Sequence, residues 1–421
     1  MPAAKTLRAF VCLGLIHVLI VKRMEKPSEN AILLRGARIV SPDHSIKQGA
    51  ILVKAGRIAQ IFDSNSKRLP ATKSDLDLTG MTLFPGFIDL HIHGAVGVDT
   101  MEASAEDLGR VAQFLASQGV TAWLPTLVPA PSEQYGRAVD AIGEFMKNEP
   151  SSNGARILGV HYEGPFVNNE QCGALHREHF RTFKNMADID ALPTIKADGA
   201  LHMMTLAPEI EGGIELIGEL KKRGWIVSIG HTRATVDELD RALRAGACHM
   251  THFMNAMTPL HHRAPGPVGW GLIHDDVTCD LIADGVHLDP LMLKLILRTK
   301  TSKRISLISD AIAATGLGDG EYRIWGEQIV VSKDRTRNPR GSIAGSVITM
   351  LDAVRMMLSL GVPEIEVARM ASTNPARVLQ NEKDCGSIEV GKQADLVALD
   401  HAGNVRLTIV AGRLFSSAHF P

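Results

Sequence analysis

Through the middle of the chain, short apolar runs alternate with segments whose apolar residues recur at helical spacing. The runs cover residues 83–93, 120–125, 157–163, 201–207, 225–231, 248–252, 279–284 and 304–310. Runs this short and this apolar fit strands buried on both faces of a sheet. Between several of them lie amphipathic stretches, such as 105–118 and 235–245, which predict helices. Eight strand–helix alternations predict an α/β fold, a (β/α)8 TIM barrel. Residues 31–40 and 50–62 read as strands with turn residues between and after them, and 394–399 and 405–410 read the same way. Both chain ends are therefore expected to build a small β-sandwich domain, from 31–82 and 379–421, beside a barrel spanning 83–378. A hairpin-like pattern at 322–331 precedes a basic loop at 332–340.

Composition narrows the function classes. The chain has 421 residues, 45% hydrophobic and 22% charged, with a formal net charge of -1. This balance gives no bulk affinity for nucleic acid or a membrane surface. Five scattered cysteines without a C-x-x-C argue against a disulfide framework or a thiolate zinc site, and fit a reducing cytoplasm. Residues 1–30 read as an N-terminal extension. Lys5 and Arg8 precede an apolar run at 10–21, which is too short to span a bilayer comfortably. The order resembles a signal peptide without a small-residue cleavage site. Met24 as the true start is the other open reading.

The chemistry gathers at strand ends. In Gly86-Phe87-Ile88-Asp89-Leu90-His91-Ile92-His93-Gly94 the two histidines lie two residues apart, so they leave the same face of a strand. The third expected strand ends in Glu163, the fifth in His231, the sixth in His252 and the eighth in Asp310. A barrel brings these ends to one mouth, where catalytic groups sit. Imidazoles with a carboxylate suit zinc or another borderline divalent ion. His161 shares a face with Glu163 and is expected to support or pack rather than ligate. Asp89 could orient an imidazole. Asp284 could support the site or cap a loop.

The motifs Pro85–Gly94, His161-Tyr162-Glu163-Gly164-Pro165-Phe166, Ser228-Ile229-Gly230-His231-Thr232, Thr251-His252-Phe253-Met254-Asn255-Ala256-Met257, Ser309-Asp310-Ala311 and Gly386–Leu396 carry a family resemblance. Over about residues 31–415 the chain resembles the N-acetylglucosamine-6-phosphate deacetylases of the amidohydrolase superfamily. The resemblance implies Glu163, His231 and His252 as ligands of the main metal, with His91 and His93 available for a second ion. It implies one or two divalent ions, Zn2+ foremost, with Fe2+ or another divalent ion as alternatives. The implied reaction is hydrolysis of N-acetylglucosamine 6-phosphate to glucosamine 6-phosphate and acetate. Asp310 would act as general base and then acid. His176, Asn255, Ala256, Arg263 and His287 are the implied substrate contacts, with Arg263 reaching a phosphate across a homodimer. Guanidinium forks suit that ligand.

Three alternatives stay open at this point. The N-acetylgalactosamine 6-phosphate epimer differs by one hydroxyl. A cyclic amidohydrolase such as a dihydroorotase would want a bridging lysine where Glu163 stands. A non-catalytic scaffold of the same fold would be expected to lose its metal ligands. The run Gln171-Cys172-Gly173-Ala174-Leu175-His176 departs from the family pattern by one residue before the histidine, leaving the register of His176 open.

Overall fold

The computed structural model describes residues 31–66, 68–148 and 154–415. The N-terminal extension lies outside them, as do the closing residues 416–421. Eight barrel strands run Phe87–Ile92, Val120–Leu127, Gly159–Glu163, Leu201–Leu206, Ile226–Ile229, His249–Met250, Thr278–Ile282 and Ile305–Ile308. Each pairs in parallel with the next. The first and eighth strands meet through Asp310 N–H donating to the His91 carbonyl at 2.9 Å and His93 N–H donating to the Ala311 carbonyl at 2.8 Å. The same bonds that close the barrel thus fix the two histidines against Asp310.

The helices follow the sequence pattern. Ala105–Ser117 starts at a capping box formed by Ser104 and Asp107, and it buries Leu108, Val111, Ala112 and Leu115. Val236–Ala245 has the equivalent box, Thr235 with Glu238, and turns its Leu239 and Ala242 inward. Each box satisfies otherwise orphaned helix N–H groups. The buried stripes join the strands in one large core, which is the dominant favourable term in such a fold.

The chain ends share a sheet of eight strands, in the order Arg413–Phe415, Val405–Val410, Leu396–Leu399, Thr82–Pro85, Ala31–Val40, Ser45–Lys54 and Arg57–Phe62, with Ser74–Asp77 also on Ala31–Val40. Leu34, Ile39, Ile51, Leu83, Leu396 and Ile409 lie in its separate core. One expected element divides. The run at 83–93 splits at Gly86, with Thr82–Pro85 in the end sheet and Phe87–Ile92 in the barrel. Apolar character continues through the junction because both sheets are buried there, so hydrophobicity alone gave no signal for the break. Gly86 N–H donates to the Asp395 carbonyl at 2.8 Å, and a Cβ on Gly86 would lie 2.2 Å from Thr121 Cγ2. Only glycine permits that approach.

A third, smaller unit grows from the loop after the eighth strand. Gly320–Ile324, Glu327–Ser332 and Arg335–Arg337 form an antiparallel sheet. It is seated by Ile324, Ile329 and Val331 on Ile312, Ala313 and Ala314, just past Asp310. Arg340 ties this unit to the loop after the third strand, donating from Nη2 to the Ala174 carbonyl at 2.8 Å and pairing with Glu327.

Candidate active site

The barrel mouth brings together His91, His93, Glu163, His231, His252 and Asp310, all buried. Three of them, His231, His252 and Asp310, have positive φ values of 48°, 28° and 51°. Non-glycine residues are held in this region only by surrounding structure, and such strain clusters at functional sites. His231 is held from behind by its neighbour. Glu209 accepts from Thr232 Oγ1 and from Arg233 N–H, both at 2.6 Å, and from Asn168 Nδ2 at 2.9 Å.

The donor atoms converge. His231 Nε2 and His252 Nε2 lie 2.8 and 3.0 Å from Glu163 Oε1. His91 Nε2 and His93 Nε2 are 3.1 Å apart, and lie 3.4 and 3.3 Å from Asp310 Oδ1. His93 Nε2 is also 3.3 Å from Glu163 Oε2. The ligand atoms of His91, Glu163 and His252 lie within 4.8 Å of one another, as do those of His91, His93 and Asp310. Glu163 stands between the two groups, where a bridging carboxylate would be needed for two ions.

The chemistry of this set fits a cation. His231 Nδ1 donates to the Gln171 carbonyl at 2.7 Å, which in a neutral ring leaves Nε2 as a lone pair. That lone pair faces a carboxylate oxygen, so a proton or a metal ion must sit between two acceptors. His91 Nδ1 likewise engages Thr251 Oγ1 at 3.0 Å. Asp310 Oδ1 is buried without a hydrogen-bond partner. Burial alone would raise the Glu163 carboxyl, but the imidazole charge of His91 and, with a proton between each pair, hydrogen bonding to His231, His252 and His91 outweigh it and hold the group well below its ordinary range. Asp310 is governed by the same opposition, burial against His91 and His93, and is also lowered. Both carboxylates are therefore held anionic although buried, the state that ligation and base catalysis require.

Among the supporting residues Asp89 departs from its expected role, whereas His161 and Asp284 keep theirs. Asp89 touches no imidazole. It accepts from Ser309 Oγ at 2.5 Å and from the N–H groups of Ser309 and His91, pinning the residue before Asp310. His161 spends both nitrogens on the Leu90 carbonyl and Thr205 Oγ1, and so supports rather than ligates. Asp284 caps its loop through Val286 N–H and His287 N–H, and orients His287 by accepting from Nδ1 at 2.6 Å.

A cavity of about 230 Å³ opens on this cluster, lined among others by His93, Glu163, Asn255, Ala256, His287 and Asp310. Asn255, Ala256 and His287 thus face the same space as the metal-type donors. Two other expected contacts do not. His176 lines an adjacent cavity of about 240 Å³ and turns Nδ1 to Glu178 Oε1 at 3.2 Å. Arg263 is exposed on the loop past His252 and does not line the cavity. Trp325, which sequence reasoning missed, lines both cavities and meets the His93 ring edge-to-face at 5.0 Å.

Residues 82–415 match the model of the amidohydrolase family. The chain belongs to the amidohydrolase family. Among amidohydrolases, it is 36% identical to an N-acetylglucosamine-6-phosphate deacetylase of Bacillus subtilis, over 91% of this chain and 97% of that one. An N-acetylgalactosamine-6-phosphate deacetylase of Escherichia coli is 35% identical, over 91% and 99%. A solved mutant of N-acetyl-D-glucosamine-6-phosphate deacetylase from Mycobacterium smegmatis, in complex with N-acetyl-D-glucosamine-6-phosphate, superposes with a TM-score of 0.83 at 30% identity, covering 92% of this chain and 100% of that one. The chain is a hydrolytic amidohydrolase with a cluster suited to a divalent metal. No helix among the described residues is long and apolar enough to cross a membrane.

Proposed function

We propose that this amidohydrolase removes the N-acetyl group of N-acetylglucosamine 6-phosphate, releasing acetate and glucosamine 6-phosphate. The observation that carries the reading is the convergence of His93, His231 and His252 with Glu163 and Asp310 on one cavity, with His91 buried against both carboxylates. Relatives named for this activity over nearly the whole chain support it.

Glu163, His231 and His252 would hold the main ion, and His91 with His93 would be available to a second one. A divalent ion there, zinc by the imidazole-rich donor set, would lower the pKa of water toward about 7 and polarise the acetyl carbonyl. Asp310 accepts the proton of the attacking water. It then returns that proton to the amide nitrogen as the carbon–nitrogen bond breaks, so one carboxylate serves as base and then acid. The barrel closure bonds at His91 and His93 keep Asp310 in register with the imidazoles. Asn255, the Ala256 backbone and His287 offer polar groups to the sugar and its phosphate.

Arg263, exposed in its own chain, is proposed to complete the phosphate site of a second copy in a homodimer working in the cytoplasm. Arg263→Ala should then lower kcat/KM for the phosphorylated sugar at least about tenfold, as expected for loss of a charge-assisted contact. Free N-acetylglucosamine should be affected little. Equal losses on both substrates would remove the phosphate role.

The reading as a whole is tested by acetate release from N-acetylglucosamine and N-acetylgalactosamine, each with and without 6-phosphate, using zinc-loaded and iron-loaded protein. The expected result is turnover confined to phosphorylated sugars and fastest on the gluco epimer. A preference for the galacto epimer would transfer the assignment to the second relative's activity.

A further inference from the structure

The unused feature beside the metal-type cluster is Trp325. It occupies the first position of a two-residue hairpin turn, between Ile324 and Glu327 of the small antiparallel sheet. Its φ is 52°, and Gly326 after it has φ 77°. Two successive positive values define the tight turn that favours Asn-Gly. A large aromatic residue is a poor fit to that backbone. Its indole Nε1–H is buried and has no hydrogen-bond partner. The sequence therefore keeps a costly residue at a strained position, and an observed outlier of this kind is a pointer to function.

The position is specific. The indole packs edge-to-face on His93, one of the convergent imidazoles. It lines the cavity over Glu163 and Asp310, and it also lines the neighbouring cavity with Asp99, Met101, Val128, Gln134 and His176. Trp325 is thus a shared wall between spaces of about 230 and 240 Å³. The hairpin that carries it is anchored by Ile324, Ile329 and Val331, and by the Arg340 contacts to Glu327 and Ala174.

We propose that Trp325 sets the length of the acyl group this enzyme accepts, by closing the space beyond the acetyl methyl. The inference rests on the deacylation reading given above. Hydrolysis requires the amide carbon beside Asp310 and Glu163. The polar groups suited to a sugar phosphate, Asn255 and His287, line the same cavity. With the sugar directed to them, the methyl is left against Trp325, with Ala174, Leu175 and Ile343 also on the lining. A longer chain would meet the indole, and beyond the indole lies the second cavity.

The test compares N-acetyl-, N-propionyl- and N-butyryl-glucosamine 6-phosphate on the full-length, metal-loaded protein. Wild type should prefer acetyl over propionyl by about 10–200-fold in kcat/KM, the range a single methylene commands in a closed pocket. Trp325→Gly suits the positive φ, so the turn is kept while the wall is removed. It should cut that preference at least tenfold, with bound metal equal to wild type. Trp325→Phe should keep most of the preference. Calorimetric titration of the three amides into Asp310→Asn protein, with and without Trp325→Gly, should reproduce the shift in binding ratios without turnover. An unchanged acyl ratio in Trp325→Gly, with all three amides weakened alike, would overturn the proposal and leave Trp325 as a surface for the sugar. If wild type released no acetate from any of these amides, the deacylation reading would have failed instead.

Discussion

Asp310→Asn should lower kcat by about 10²–10⁴-fold, the range carried by a positioned proton-transfer group, while the protein still binds its metal. Asp310 N–H is held by the His91 carbonyl, and Ser309 before it is pinned by Asp89, so the backbone places the carboxylate beside the His91 and His93 rings. Its carboxyl is lowered because His91 and His93 outweigh burial, so it begins the cycle as a base. Asparagine keeps the shape and a carbonyl oxygen but cannot take a proton. Steady-state kinetics with metal analysis on the same sample decide the matter. Wild-type kcat in the variant would remove Asp310 from proton transfer, and a parallel loss of metal would make it a ligand first.

Glu163→Gln should have the larger structural effect. Among the described residues, Glu163 is the one that approaches His91, His93, His231 and His252 together. Changing it to a neutral amide removes the anion that offsets an ion's charge and puts N–H groups among lone pairs. Even partners one step removed from a metal cost about 10–100-fold in affinity or activity, so loss of this central carboxylate should exceed that. The expected result is protein with less than about a tenth of the wild-type metal and turnover reduced at least a thousandfold. Ligand binding also stabilises the folded state, by about 4 kcal/mol at a thousand times Kd. Added zinc should therefore raise the wild-type melting temperature and leave that of Glu163→Gln almost unchanged. Full metal occupancy in the variant would contradict the bridging role.

Much of this was legible in the sequence because barrel strands are short, apolar and regularly spaced, and their ends are marked by polar residues. His91, His93, Glu163, His231, His252 and Asp310 each stood at such an end, and the fold brings those ends together. What was not legible depends on contacts rather than on pattern. The break at Gly86 is set by Thr121, a residue 35 positions away. Asp89 shares a strand face with His91, yet its hydroxyl partner comes from the far end of the barrel sequence, at Ser309. His176 lies on a loop with no periodicity to fix its register, and it lines a neighbouring cavity that shares Trp325 with the one over the metal-type donors. That tryptophan sat in a hairpin signal already visible at 322–331. Its unusual place beside Gly326, where the turn favours a small polar residue, was the clue that could have found it.

The central physical claim is that these donors hold an ion. A zinc-edge anomalous difference map from crystals of the metal-loaded protein tests it most directly. The account predicts a peak within about 2.0–2.2 Å of Glu163 and of the Nε2 atoms of His231 and His252, with any second peak between His91 and His93. A map in which zinc sits elsewhere, or in which those three side chains share no peak, would contradict it.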